Sequence, residues 1–291
     1  MQHGVIIKAF NSFYYVKTKD RITMCTLRGR FKKERFSLLV GDEVEYEFTE
    51  NHKGIIEKIL PRRTLLQRPM IANLDQVIIT FAAVNPNIST VLIDRFLILA
   101  EMSGLDAVIC INKMDLADRK ELNPIVELYR SIGYPVITIS AKMDIGIKEV
   151  RNILSGKISV FAGPSGAGKS TILNYVEEGL RLVTGEVSEK IGRGKHTTRF
   201  AELLPLSGGG FVVDTPGFSF TEFEQVKKNE LGGYFPEIAK AARECKFNTC
   251  LHLKEPQCAV KQLVAEGRIS ELRYHSYTEI LKEIQEKKKG F

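Results

Sequence analysis

The run Lys157–Thr171, K-I-S-V-F-A-G-P-S-G-A-G-K-S-T, constrains this chain more than any other stretch. A short apolar segment, Ile158–Ala162, leads into Gly163, Pro164, Ser165, Gly166, Ala167, Gly168, Lys169 and Ser170. A helical pattern (Ile172, Leu173, Val176) follows. The octet fits G-x-x-x-x-G-K-[ST], and that motif requires this order of strand, loop and helix. Its three glycines let consecutive N–H groups turn inward onto a phosphate. The helix beginning near Lys169 adds its positive dipole end. Lys169 supplies a point charge to β- and γ-phosphates, and the Ser170 hydroxyl is placed to ligate Mg²⁺. Gly163–Thr171 is therefore expected to line a nucleoside triphosphate.

A phosphate loop does not choose the base. Asn112-Lys113-Met114-Asp115 follows the apolar strand Ala107–Ile111, so it should lie at the carboxyl end of a sheet, where α/β ligands bind. An aspartate there can accept both N1–H and N2–H of guanine, donors that adenine lacks. Asn112 can bond toward the acceptor edge of the base and tie down the phosphate loop, and the Lys113 stem can pack on the base face. Ser140-Ala141-Lys142 ends the next strand, where backbone N–H groups can donate to the guanine O6. Asp214-Thr-Pro-Gly217 closes the set: Asp214 can hold Mg²⁺ through water, and the Gly217 N–H can sense a γ-phosphate. Between the loop and Asp214 lies the basic Gly192-Arg-Gly-Lys-His196-Thr197-Thr198-Arg199, where either threonine can complete the Mg²⁺ shell. Phe218 stands after Gly217 and cannot polarise water. His196 is the candidate donor for the catalytic water, with slow intrinsic hydrolysis expected. The alternative is a non-catalytic, GTP-gated RNA-binding module; a kinase or ATPase fits the guanine motifs poorly.

The 291 residues suit two or three domains, and 44% hydrophobic with 26% charged residues is ordinary for a globular protein. No apolar run reaches the length of a membrane span, so a cytoplasmic, membrane-free protein is expected; a monomer is a separate expectation. Of the net charge of +7, residues 1–68 carry +6 (14 Lys+Arg against 8 Asp+Glu), the footprint of a polyanion binder. The same region reads as five short strands: Gly4–Phe10, Phe13–Thr18, Ile22–Leu27, Asp42–Phe48 and Gly54–Ile59. Val44-Glu-Tyr-Glu-Phe48 alternates apolar with acidic residues, the mark of a half-buried strand. Five strands in sixty residues predict an all-β barrel of the OB type, a platform for nucleic acids. Arg28, Arg30, Phe31, Lys32, Lys33 and Arg35 are its candidate RNA contacts, with Phe31 as the exposed aromatic.

The Pro-bounded segment 61–69 reads as a linker. Strands then alternate with helical patterns (88–102, 124–131, 147–154, 171–178), which predicts a parallel α/β sheet covered on both faces. The expected domains are 1–66, 67–222 and 223–291, the last mostly helical. It holds Cys245, Cys250, His252 and Cys258, three thiols and one imidazole that can close a tetrahedral structural Zn²⁺ site. Cys25 and Cys110 stand apart as isolated, buried cysteines.

The motif order is diagnostic. GTPases run phosphate loop, threonine switch, D-x-x-G, N-K-x-D, S-A-K; here N-K-M-D and S-A-K come first. This order, the barrel, G-K-H-T-T, D-T-P-G and C-x4-C-x-H-x5-C together resemble, over essentially the whole chain, the circularly permuted GTPases of small ribosomal subunit biogenesis, the bacterial RsgA family. The resemblance implies barrel and zinc domains that grip 16S rRNA on the maturing 30S subunit. It also implies GTP hydrolysis stimulated by that particle.

Overall fold

A computed structural model describes residues 1–29, 38–49, 53–67, 69–180, 201–214 and 226–287. The chain forms two compact units, one of Met1–Ile78, Asp144–Ala162 and Lys169–Phe218, the other of Ile79–Met143, Gly163–Gly168 and Ser219–Phe291.

In the first unit, β1 (Gln2–Phe10), β2 (Phe13–Lys17), β3 (Ile22–Leu27), β4 (Glu43–Phe48) and β5 (Gly54–Ile59) close a barrel in the order β1-β2-β3-β5-β4. Period-2 alternation places Val44 and Tyr46 inside with Ile6, Val16, Cys25, Leu38 and Ile56, while Glu43, Glu45 and Glu47 point away from the core. The Tyr46 hydroxyl is satisfied inside by Thr23 Oγ1 at 2.9 Å. The segment 61–69, read as a linker, holds the first strand of a short hairpin, β6 (Leu65–Gln67), which pairs with β7 (Met70–Ala72) just beyond it. Asp42 locks it to the barrel, accepting from Arg62 Nε (2.6 Å) and Nη2 (2.8 Å).

The second sheet contains β8 (Gln76–Ala82), β9 (Asp106–Asn112), β10 (Val136–Thr138), β11 (Ile158–Ala162), β12 (Glu202–Pro205) and β13 (Phe211–Asp214), in the order β10-β9-β8-β11-β13-β12. β8 and β11 are buried at every position, as continuous apolar runs dictate for central strands. β10 pairs in parallel with β9, and β11 with β13. β12, which the sequence pattern did not reveal, adds an antiparallel edge and is tied to β1 by Lys8–Glu202 at 2.9 Å.

The described helices are α1 (Thr90–Met102), α2 (Arg119–Ser131), α3 (Ile147–Leu154), α4 (Lys169–Val176), α5 (Pro236–Ala242), α6 (Ala259–Ala265) and α7 (Glu271–Lys287). Helix α2 starts before Pro124, where its sequence pattern opens, because Asp118 accepts from Lys120 N and caps it. The C-terminal helical run divides at Gly267, whose φ of +70° ends α6 and leaves Arg268 N–H bonded to Leu263 O. Within the second unit α7 packs on α1, and Phe81 meets Phe96 edge to face at 6.0 Å.

Candidate functional site

The phosphate loop has its shape for steric reasons. Gly163 sits at φ +131°, and a Cβ there would stand 2.0 Å from the Thr80 carbonyl oxygen. Gly168, at φ +91°, would drive a Cβ to 2.3 Å from Asn112 Nδ2. Gly163→Ala is expected to cost about 2–4 kcal/mol of local stability, since both a strained φ and a forced backbone shift must be absorbed. An unchanged thermal midpoint together with unchanged nucleotide affinity would contradict this.

Asn112 joins three segments of the second unit. Its Nδ2 donates to Ala167 O in the phosphate loop at 3.1 Å, and its Oδ1 accepts from Ala141 N at 3.0 Å. Its own carbonyl accepts from Ala83 N at 2.7 Å. N-K-M-D, S-A-K and the phosphate loop therefore meet at one buried amide, as the motif reading expected of Asn112 in part. Lys113 takes the left-handed conformation (φ +65°) and donates from Nζ to Asn85 O at 2.7 Å. Met114 N–H bonds Ile139 O at 3.1 Å. Asp115 is exposed, and Ser140 Oγ donates to its Oδ1 at 2.5 Å, fixing one carboxylate oxygen before any base arrives. Ala141 is buried and Lys142 exposed.

Pro164 is half-buried, Ser165 and Gly166 are exposed, and Ala167 is fully buried. Lys169 and Ser170 open α4, with Thr171 exposed beside them. Burial pulls the Lys169 ammonium below its ordinary pKa, and an anion there would favour its charged form. Asp214 ends β13. His196, Thr197, Thr198, Gly217 and Phe218 lie outside the described residues, as do Arg30, Phe31, Lys32, Lys33 and Arg35. Arg28 is ion-paired with Glu57. On the described barrel Phe10 and Phe13 are exposed, at 51% and 36%.

Sequence reasoning missed the loop 83–89. It acts through backbone atoms, which no side-chain pattern reveals, and its only signal was the turn dipeptide Asn85-Pro86.

The ligand atoms of Cys245, Cys250, His252 and Cys258 all lie within 4.8 Å of one another. Cys245 Sγ is 3.6 Å from His252 Nδ1 and 3.9 Å from Cys258 Sγ, which is 3.4 Å from that nitrogen. A tetrahedral ion with metal–sulfur bonds of about 2.3 Å and metal–nitrogen bonds of about 2.0 Å sets such edges at roughly 3.5–3.8 Å. The donor set fits a metal ion. Its surroundings hold the loop in shape: the Glu255 carboxylate accepts from Leu251 N, Leu253 N and Lys254 N at 2.8–3.0 Å. Tyr274 and Tyr277 of α7 donate to the carbonyls of His252 (2.6 Å) and Leu251 (2.9 Å).

Comparison with known proteins agrees with this arrangement. Residues 59–224 match the family described as RsgA GTPase, and residues 3–56 match the RsgA N-terminal domain. The chain is 46% identical over 286 residues to a small ribosomal subunit biogenesis GTPase RsgA of Caldanaerobacter subterraneus subsp. tengcongensis, covering 98% of this chain and 97% of that one. Among solved structures it is similar to YloQ, described as a circularly permuted GTPase (38% identity, TM-score 0.83, 99% and 96% of the two chains). It is equally similar to YjeQ from Thermotoga maritima (39%, 0.84, 98% and 98%). With its guanine-type motifs placed ahead of its phosphate loop, and matched from the barrel through the nucleotide domain, this chain belongs to the RsgA GTPase family and is a GTPase.

Proposed function

We propose that this GTPase acts in late maturation of the small ribosomal subunit, binding 16S rRNA and hydrolysing GTP in response to that particle. The guanine reading is carried by the Asn112 clasp, which gathers the phosphate loop and both base motifs around one amide. In it, Asp115 reads N1–H and N2–H, the Lys113 stem packs on the base, and the amides of Ser140–Lys142 face O6. The loop N–H groups of Gly163–Gly168 and Lys169 hold the phosphates. Ser170, Asp214 and either Thr197 or Thr198 would hold Mg²⁺, which would neutralise charge on the phosphates, Gly217 senses the γ-phosphate, and His196 orients the attacking water. The ribosomal reading is supported by the name of the 46%-identical relative and by the +6 charge of residues 1–68. The basic segment Arg28–Arg35 and the barrel supply the rRNA contact.

The division into domains 1–66, 67–222 and 223–291 belongs to the same reading, as do monomeric and cytoplasmic action. Among the described residues no helix is long and apolar enough to cross a membrane. The Cys3His cluster takes one structural Zn²⁺; four protein ligands leave no open position for catalysis.

The test is GTP turnover measured alone and with purified subunits. Small subunits are expected to raise the rate at least tenfold, in the manner of other partner-stimulated GTPases, and large subunits to leave it unchanged. Equal rates in all three conditions would overturn the ribosomal part. GDP, but not ADP, should compete for the site; equal competition would overturn the guanine part.

A further inference from the structure

Loop 83–89 touches the nucleotide site at three points. Ala83 N–H donates to Asn112 O, Asn85 O accepts the Lys113 ammonium, and Pro86 Cδ lies 3.9 Å from where a Cβ on Gly166 would stand. The loop ends at Ser89, whose hydroxyl caps α1 by accepting from Leu92 N at 3.3 Å. Whatever fixes the first turns of α1 therefore fixes the loop.

Those turns are gripped by the C-terminal segment. Asp94, fully buried on α1, accepts from the Tyr129 hydroxyl at 2.7 Å and from Arg273 Nη1 of α7. Arg273 is only 1% exposed; its Nε and Nη2 reach Glu237 at 2.6 and 3.1 Å, and its guanidinium lies 4.4 Å from the Phe235 ring centre. Next to Arg273 on α7, Tyr274, and one turn further on Tyr277, hold the backbone of the metal loop. Arg95 of α1 adds a second ion pair, to Glu283. A buried ion pair gains little net stability over an apolar filling, but its fork geometry admits one arrangement where aliphatic contacts tolerate sliding.

We propose that Arg273 is a positioning residue for the nucleotide base: through Asp94 it sets the first turns of α1, and through them the loop that holds Lys113. The proposal rests on the guanine-site reading above. Coupling of this kind is reciprocal, so a bound base also steadies the attachment of α7.

The test compares GDP and IDP affinities of metal-loaded protein, by competition against a fluorescent GDP analogue. Asp94→Asn keeps shape while removing the ionic partner. It is expected to weaken GDP at least tenfold, and IDP equally, because packing against the base face does not read the 2-amino group. Arg273→Met should match it, and Arg273→Lys should recover part of the loss. Asp94→Asn added to Lys113→Ala should cost less than about twofold more, the non-additivity of residues acting through one another. A folded Asp94→Asn protein with GDP affinity within twofold of the parent, or full additivity with Lys113→Ala, overturns the proposal. If Asp94→Asn does not fold, Arg273→Met takes its place in the cycle, and the same two outcomes overturn the proposal. Failure of the guanine reading looks different: Lys113→Ala and Asp115→Asn would then leave GDP affinity unchanged.

Discussion

Asp115→Asn is expected to weaken GDP binding by about 10²–10⁴-fold while leaving the fold intact. The proposed carboxylate accepts two base N–H groups, and hydrogen bonds to a charged acceptor contribute about 1.5–3 kcal/mol each. An amide presents one oxygen and one NH₂, so one donor of the base faces another donor. Ser140 sharpens the effect, because its hydroxyl already occupies Oδ1 at 2.5 Å and favours keeping an oxygen there. The NH₂ then falls on the side open to the base. Xanthine carries a carbonyl where guanine carries its amino group, so the same variant should gain affinity for XDP. Side-by-side titrations of GDP and XDP decide the matter: an Asp115→Asn protein that still prefers GDP would remove Asp115 from base recognition. Stability should move little, since Asp115 is exposed and makes one side-chain bond within the protein.

Much of this site was legible in the sequence because its chemistry sits in side chains at fixed spacings. Asn112, Lys113, Asp115 and Ser140 announce themselves as a pattern, and the all-apolar runs of β8 and β11 mark central strands without ambiguity. The barrel was legible for a related reason: Val44-Glu-Tyr-Glu-Phe48 alternates, and alternation has one structural meaning. What escaped were features set by partners distant in sequence. β12 is short and Pro-ended, and it is a strand because β13 offers it an edge. The hairpin β6–β7 was hidden by the basic residues around it, and Asp42, twenty residues earlier, neutralises Arg62 just ahead of β6. Nothing in the spacing around Asp94 announces its burial, which Tyr129 and Arg273, 35 and 179 residues away, explain.

In the second unit α1 carries the loop that reaches Asn112 and Lys113, and α7 is fastened to α1 by Asp94–Arg273 and Arg95–Glu283. The same α7 holds the metal loop by two tyrosines. The candidate base site and the Cys/His loop are thus opposite ends of one chain of hydrogen bonds and ion pairs, so a disturbance at the loop should reach Lys113 attenuated by two helices.

Cys258→Ser is expected to lower metal affinity by more than about 10³-fold and to melt residues 245–258 without unfolding the chain. Only His252 and Cys258 are buried in that segment, so no apolar core holds it once the ion is lost. Burial pushes the Cys250 thiol up to about 12 in the metal-free site, so an arriving cation must displace protons, and affinity should fall as pH falls. Cys258 also precedes α6, whose first turn should fray with it. The damage should stop at α7, because Arg273 keeps its grip on Asp94 and Glu237, and Phe235 still packs edge to face on Tyr277 at 5.6 Å. Bound metal per chain should drop toward zero, and amide exchange should accelerate in 245–265 while β8, β9 and α1 keep their protection. Retention of the parent's metal content by the variant would remove Cys258 from the ligand set. Loss of protection throughout the second unit would show instead that the metal, rather than the Asp94–Arg273 pair, anchors α7.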